Sequence, residues 1–557
     1  MKKIFIFTML LSITLFTSCD MDFLPNDKIV PEQLSVDPSG AFYATDGNYA
    51  IFKDILNYKG STYSGNTYVR HYFQMAEFPA DNVCLAGRTS DPLYEALTYK
   101  TTPDLRNVTY LWYVSYKIIN GTNALIETLE EGTSSYADHL KGENYFLRAV
   151  AHFNLSNLYA KPYVLGRDNP SVILRTSTDT KVTQRSTVGK VYDQVVDDLE
   201  NAIRLLSNQP RNGNAGYVSK ATAQAFLSRV YLYMGDKDQE VIDLVNTMLA
   251  GADPATKLES TATFPTYFIN ALSSKETLWA VAHTSKESRG GSSIGSMFLT
   301  DGAGWGEIYS SDPLNDLYDR HPNDVRTSFI KPKTTSSTQY MVRWAKPSND
   351  DFYENDIRDV SWDAVENKYY FNDGANKIFV ETEIVNGYEQ NYITYNGAKT
   401  RARLSLKMED RYGWPKYFVT KFSYQDGDPM LSSPVMIRWA EVILNRAEAH
   451  ARKGNTTQAL NDVNVIRQRA GLSGNQLFRN DNMMGYTDLL DVVLDERRLE
   501  LAFEGHRMFD IYRNKKSLDR RFSGVQPYEI VNYDNNKIQY PIPMDEINTS
   551  GISQNLY

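Results

Sequence analysis

Residues Leu494–Arg513 read LDERRLELAFEGHRMFDIYR. Leu490, Val493, Leu494 and Leu501 recur at the three- and four-residue spacing of one helix face. Glu496, Glu500 and Glu504 form a second, acidic row. Arg497 and Arg498 interrupt the apolar stripe where another leucine is expected. A guanidinium on a core-facing stripe is costly unless paired. Asp495 and Glu500 each lie three residues from an arginine, so Asp495–Arg498 and Arg497–Glu500 are the expected pairs. Gly505 permits a tight reversal, after which Met508, Phe509 and Tyr512 restart an apolar face. The stretch reads as buried, charge-stitched scaffold.

Upstream, MIRWAEVILNRAEAHARKGN (436–455) places Met436, Ala440, Ile443, Leu444, Ala447 and Ala451 on one face. Arg438, Glu441, Asn445, Glu448 and Arg452 take the other, and Gly454 ends the helix. Thr456 is expected to cap the next helix, in which Leu460, Val463, Ile466 and Ala470 pack before Gly471 closes it. Together these have the proportions of a tetratricopeptide hairpin. In the first half, helical periodicity runs from Ala41 past Leu56. It returns over Tyr110–Leu129, His139–Tyr159, Val188–Leu206, Ser219–Met234 and Asp238–Ala250, with Ser186-Thr187 and Ser219 as N-caps. Residues 59–108 and 255–435 break this pattern with glycines, prolines and aromatics. The segment 255–435 has few long helical runs and short expected strands such as Lys377–Glu383, and so long a stretch without its own helices inside a helical protein is expected to be functional.

The chain of 557 residues is 42% hydrophobic, enough for a large core or several domains. A net charge of −9 and the absence of a basic patch exclude a nucleic-acid footprint. The two cysteines, Cys19 and Cys84, exclude a disulfide framework. Lys2 and Lys3 precede an apolar run from Ile4 to Phe16 that ends at Thr17-Ser18-Cys19, the pattern of a secretory signal. Leu15–Cys19 resembles a bacterial lipobox, Phe16 being bulkier than usual there, and makes Cys19 the expected lipid attachment site. The alternative is a plain cleavage site with an incidental cysteine. No later segment has the length and apolarity to span a bilayer, so the lipid would be the only membrane anchor. Cys84 is expected as a buried small hydrophobe.

Taken in order, several stretches resemble the SusD/RagB family of outer-membrane nutrient-binding lipoproteins. They are LKGENYFLRAVAHFNLSNLYA (140–160), VGKVYDQVVDDLENAIRLL (188–206), SKATAQAFLSRVYLYMGD (219–236), IRWAEVILNRAEAHARKGN (437–455), LNDVNVIRQRAGL (460–472), DERRLELAFEGHRMFDIYR (495–513) and YPIPMDEINTSGISQNLY (540–557). Asp20 and Asp22 after Cys19 look like the acidic export tag of surface lipoproteins in the Bacteroides group. The resemblance implies a mainly α fold: tetratricopeptide-like helical repeats packed against a loop-rich, irregular ligand-binding half. It implies a signal peptide over 1–18, a tether over 19–40, a helical-repeat region over 41–254, a loop-rich ligand-binding region over 255–435 and a C-terminal helical region over 436–557. It further implies a non-catalytic protein on the cell exterior that captures an oligosaccharide for a SusC-like TonB-dependent outer-membrane transporter.

Sugar recognition needs a flat aromatic for the ring's C–H face and polar groups for its hydroxyls. GAGWGEIYSSDPLNDLYD (302–319) offers Trp305 and Tyr309. Trp305, between Gly304 and Gly306, is expected on flexible backbone; packing inward is the alternative. EFPADNVCLAGRTSDPLYEALTY (77–99) offers Asp81, Asn82 and Arg88 as polar contacts and Tyr94 and Tyr99 as stacking faces, or else as core aromatics. Trp344, Trp362 and Trp414 are further loop aromatics. No cofactor motif occurs, and the turns Asp426-Gly427-Asp428 and Asp534-Asn535-Asn536 offer oxygens for structural calcium without a known loop's spacing. Three other functions stay open: peptide capture in the manner of RagB, a surface glycoside hydrolase with two opposed carboxylates among the 68 acidic residues, and a pure scaffold whose repeats bind only other proteins.

Overall fold

The computed structural model describes residues 38–557 except 180, 349–351 and 386–387; Cys19 and the segment 1–37 lie outside the described residues. Its helices are α1 (Pro38–Ala50), α2 (Tyr68–Glu77), α3 (Arg106–Thr128), α4 (Ser135–Tyr159), α5 (Val188–Leu205), α6 (Lys220–Met234), α7 (Asp238–Leu249), α8 (Asp312–Asp319), α9 (Trp439–Arg452), α10 (Thr456–Arg469), α11 (Leu489–Leu501) and α12 (Arg507–Arg513), besides shorter ones. The Thr187 side chain caps α5, and Ser219 with Thr222 forms a capping box on α6. The residue before α10 is Asn455, with no side-chain cap, so Thr456 is the first helical residue and not the cap. Met436 and Arg438 lie in a strand, Val435–Arg438, paired with Thr277–Ala280, so α9 starts later than its periodicity suggests.

Consecutive helices α3 to α7 pack on one another, and α7 packs on α9, which in turn contacts α10 and α11. Helices separated by some 190 residues of sequence are thus one stack around one large core. That core runs from Phe52 through Trp279 to Ile552. Among the described residues no helix is long and apolar enough to cross a membrane.

The loop-rich insert holds more order than its composition suggests. Strands β1 (Tyr340–Pro347), β2 (Tyr353–Asp363), β3 (Lys368–Asp373), β4 (Asn376–Val385), β5 (Tyr388–Tyr395) and β6 (Ala398–Leu406) close into an antiparallel barrel. The expected strand Lys377–Glu383 is part of β4. Val342, Trp344, Phe371, Val380, Ile393 and Ala402 fill the barrel's own small core. So small an interior requires few apolar residues, and the polar outward positions mask the alternation. Arg343 on Asp312, Arg401 on Asp316 (2.6 Å) and Arg403 on Asp316 and Asp319 dock the barrel to α8.

The opening stretch is buried, but its pairing differs from the expected one. Arg497 bonds Asp510 (2.9 Å) and Asn445 (2.8 Å), while Arg498 bonds Asn82 (2.8 Å) and the Asp81 carbonyl (2.8 Å). Asp495 accepts from the Tyr486 hydroxyl. Glu500 receives Arg438 (2.5 Å), Arg469 and Arg326 (3.4 Å), and Glu504 receives Arg438 (2.8 Å) and Lys421 (2.5 Å). Side chains on a buried helix reach across to neighbouring elements, so the expected i, i+3 pairs give way to tertiary ones.

Burial alone would raise the Glu504 carboxyl, but Arg438 and Lys421 outweigh it and hold it at about 2, against 4.5 normally. Burial is likewise overridden by arginines at Glu500 and Glu448, which are also held low. Depressed carboxylates stabilise the fold fully above their unfolded value of 4.5, and lose that contribution as pH falls toward 2. Glu77 has the opposite sign: burial pushes it up to about 7, so its charging costs stability as pH rises toward that value. Glu448, Glu500 and Glu504 together outweigh Glu77, so calorimetry should show the melting temperature falling between about pH 5 and pH 3. An unchanged melting temperature across that window would contradict this reading of the network.

Candidate functional site

Trp305 sits in a turn folded against the short helix Ile294–Phe298. Its backbone N–H donates to the Ser296 carbonyl (2.8 Å), and that of Gly306 to Leu299 (3.0 Å). The flanking glycines serve close approach and not flexibility. A Cβ on Gly304 would meet the Ser296 carbonyl at 2.3 Å, and one on Gly306, at φ +70°, would meet the Asp301 carboxylate at 1.7 Å. The expected flexible backbone is therefore corrected to a rigid one. The indole Nε1 donates to the Gly291 carbonyl (2.8 Å), and the Arg70 guanidinium lies over the ring, 5.4 Å from its centroid. Half-buried Trp305 is thus held in place with part of its surface open to solvent.

Buried Arg70 is itself fixed, by Asp91 and by the Ser292 carbonyl (3.0 Å), and Gln74 donates to the same Asp91 (2.9 Å). Ser64 and Ser292 share a hydroxyl hydrogen bond of 2.7 Å. Beside them Tyr63 is 38% exposed with Arg106 over its ring. On the other flank Arg411 bridges Asp301 (3.6 Å) and Glu307 (3.2 Å), and Lys416 holds Asp301 (2.7 Å). Burial raises the Glu307 carboxyl, Arg411 opposes it and Asp301 adds to it. Tyr412, 76% exposed, approaches Gly87, so its loop and the loop carrying Arg88 form one surface. Tyr63, Arg70, Asp91, Asp301, Glu307, Arg411 and Tyr412 are not among the contacts expected from the sequence. Only the Tyr412-Gly413 turn carried a local signal.

The other expected contacts divide. Arg88 is exposed on that surface, and Tyr94 is half-buried against the core. Asp81 and Asn82 are corrected to scaffold. Asp81 accepts from Arg507 (3.0 Å), and Asn82 donates to Glu77 (2.9 Å) and accepts from Arg498. Tyr99 points inward, its hydroxyl donating to the Pro79 carbonyl (2.9 Å) and facing that of Tyr512 (2.8 Å). Tyr309 is buried, and its hydroxyl donates to the Gly306 carbonyl (2.7 Å), so it braces the Trp305 turn from beneath. Trp344 and Trp414 are buried, and burial pushes the Cys84 thiol up. Loop-like composition does not reveal the short ribbon Val83–Leu85 with Ile308–Ser310, which carries Tyr309 and the neighbouring Asp81 and Asn82 into the core.

Among the described residues no group of three metal-ligating side chains occurs. Asp428 and Asn535, in the turns weighed for calcium, cap the backbone N–H of Met430 (2.9 Å) and Lys537 (3.0 Å).

A family model described as "SusD family" matches residues 275–557, and one described as "Starch-binding associating with outer membrane" matches 62–232. A SusD-like protein of Formosa agariphila is 22% identical over 467 residues, 80% of either chain. A SusD superfamily protein of Bacteroides thetaiotaomicron superposes with a TM-score of 0.72 at 23% identity, covering 93% of this chain and 99% of that one. A laminarin-binding SusD-like protein superposes at 0.61 with 21% identity, over 93% and 98%. The mainly helical architecture with a smaller β region is thus shared with these structures.

Proposed function

This chain belongs to the SusD family, and from that premise we propose that it captures an oligosaccharide on the surface around Trp305 and delivers it to a SusC-like TonB-dependent transporter. The observation that carries the reading is the immobilised, partly open Trp305 indole set among exposed tyrosines and hydrogen-bonding groups. Stacking on a pyranose ring costs little when the aromatic is already ordered, because no side-chain entropy is lost on binding. The laminarin-binding relative and the "starch-binding" family description support a glucan-like ligand class. Cys19, following a signal over 1–18, is the residue for a lipid anchor, with 19–40 as tether, 41–254 and 436–557 as scaffold and 255–435 as the main ligand-binding region. The description "associating with outer membrane" supports a place on the outer face of that membrane.

The protein acts by binding and not by catalysis. Asp301 and Glu307 share Arg411, and Asp91 is held by Arg70, so these carboxylates serve as acceptors and as supports for cations. A panel of immobilised glycans and a pool of peptides, probed with the purified mature chain, tests the reading. Retention on a glycan and none on peptides is expected. Retention on peptides alone would replace it with peptide capture, and hydrolysis of a retained glycan would overturn the binding-only reading.

A further inference from the structure

The chain has seven tryptophans, and Trp112, Trp279, Trp344, Trp414 and Trp439 are buried. Trp305 is half-buried at the surface described above. Trp362 is the most open, 51% exposed, and belongs to a different part of the molecule: the end of β2 on the barrel. It lies opposite Tyr369 of β3 in register, and the Tyr369 ring meets it edge to face at 5.0 Å. Tyr340 of β1 stands behind Tyr369, centroids 5.0 Å apart. Tyr369 and Val360 in turn pack on the barrel core. An exposed indole is therefore braced by two tyrosines and anchored through them to a rigid interior.

Three of the carboxylates around this end are paired within the barrel. Asp363 accepts from Lys377 (2.7 Å), Glu381 from Lys368 (2.7 Å), and Asp359 from Lys407 (2.5 Å). The Asp363 carboxylate also caps the hairpin through the N–H groups of Val365 (3.0 Å) and Glu366 (3.2 Å). A charged ligand gains little where the charges already have partners. A flat, neutral, hydroxyl-rich one can stack on the indole and bond to the pairs at the rim. A standard protein interface covers about 800 Å² on each side. At this hairpin the exposed large apolar residues are Trp362 and Val365, too little for such a partner and enough for one sugar ring.

We propose that Trp362, Tyr369 and Tyr340 form a second, neutral-sugar platform on the barrel, separate from the Trp305 surface and engaging a further part of a long polysaccharide. The proposal rests on the reading that the chain binds glycans. Two linked contacts raise the apparent affinity for a polymer beyond that of either alone.

Affinity electrophoresis of the mature chain through gels containing laminarin or starch, with Trp362→Ala, Trp362→Phe and Trp305→Ala compared, tests it. Trp362→Ala should weaken retardation by the polysaccharide about three- to tenfold, with an unchanged melting temperature, and Trp362→Phe should keep most of it. Trp305→Ala should retain a residual retardation that adding Trp362→Ala removes. Wild-type retardation in Trp362→Ala would overturn the platform while leaving the Trp305 reading intact. No retardation of the wild type by any polysaccharide would remove the glycan reading itself, and the platform with it.

Discussion

Replacing Glu500 by alanine is expected to cost about 4 kcal/mol of stability, the range for removing one partner of a buried ion pair. Glu500 is fully buried and meets Arg438, Arg469 and Arg326 together. Arg438 keeps Glu276 and Glu504, and Arg326 keeps Asp324 and Glu496. Arg469 keeps no carboxylate of its own among the described pairs and would be left against the Phe264 ring. Glu500→Gln preserves the shape but not the charge, and should cost about 3 kcal/mol for the same reason. On the barrel surface, Glu383 pairs with Lys399 and both are about half exposed. Glu383→Ala should change stability by less than about 0.5 kcal/mol. Urea unfolding of the three variants separates these cases, and a Glu500→Ala midpoint equal to that of Glu383→Ala would show that the buried cluster does not hold the fold. Where the Glu500 variants fold, their glycan affinity should match the wild type.

Trp305→Ala is expected to weaken oligosaccharide binding by about 2–3 kcal/mol, or roughly 30- to 150-fold, as for an aromatic hot spot. Trp305→Phe should fall between, because the smaller ring keeps a stacking face but loses the Nε1 bond to Gly291 that orients it. Tyr309→Phe supplies the structural comparison. Removing its hydroxyl leaves the Gly306 carbonyl without that donor, costing about 1 kcal/mol of stability. Because Tyr309 is buried, affinity should shift less than about twofold, the size of change an indirect packing effect brings. Isothermal titration with an oligosaccharide selected on the panel decides between the two. Equal losses from Trp305→Ala and Tyr309→Phe would mean that the turn's shape, and not the indole, carries binding.

The helical scaffold was legible because its signals are local. The apolar spacing of Val188–Leu205, the caps at Thr187 and Ser219 and the glycine stop at Gly454 each act within a turn or two of helix. The ordered set of helical motifs carried the family resemblance for the same reason. The barrel was not legible, since its closure pairs β1 with β6 across some 60 residues of sequence, and its interior holds few apolar side chains. Of the candidate site's side chains open to solvent, only Trp305 and Arg88 were legible, Trp305 through its unusual neighbours Gly304 and Gly306, and even there the glycines serve tight packing.

By itself, then, the sequence determined the repeat helices but not α2 within 59–108, that charge is carried into the core at Leu494–Arg513, and which family the chain resembles. Periodicity, capping and ordered motifs are properties of neighbouring residues. Tertiary structure alone decided who pairs with whom. Arg497 turns to Asp510 rather than Glu500, Asp81 goes to Arg507 and Arg498 rather than to a ligand, and Tyr309 braces the turn on which Trp305 is presented. The physical reason is that burial is set by elements far apart in the chain, and a polar side chain taken from water must use whichever partner those elements bring within about 3 Å.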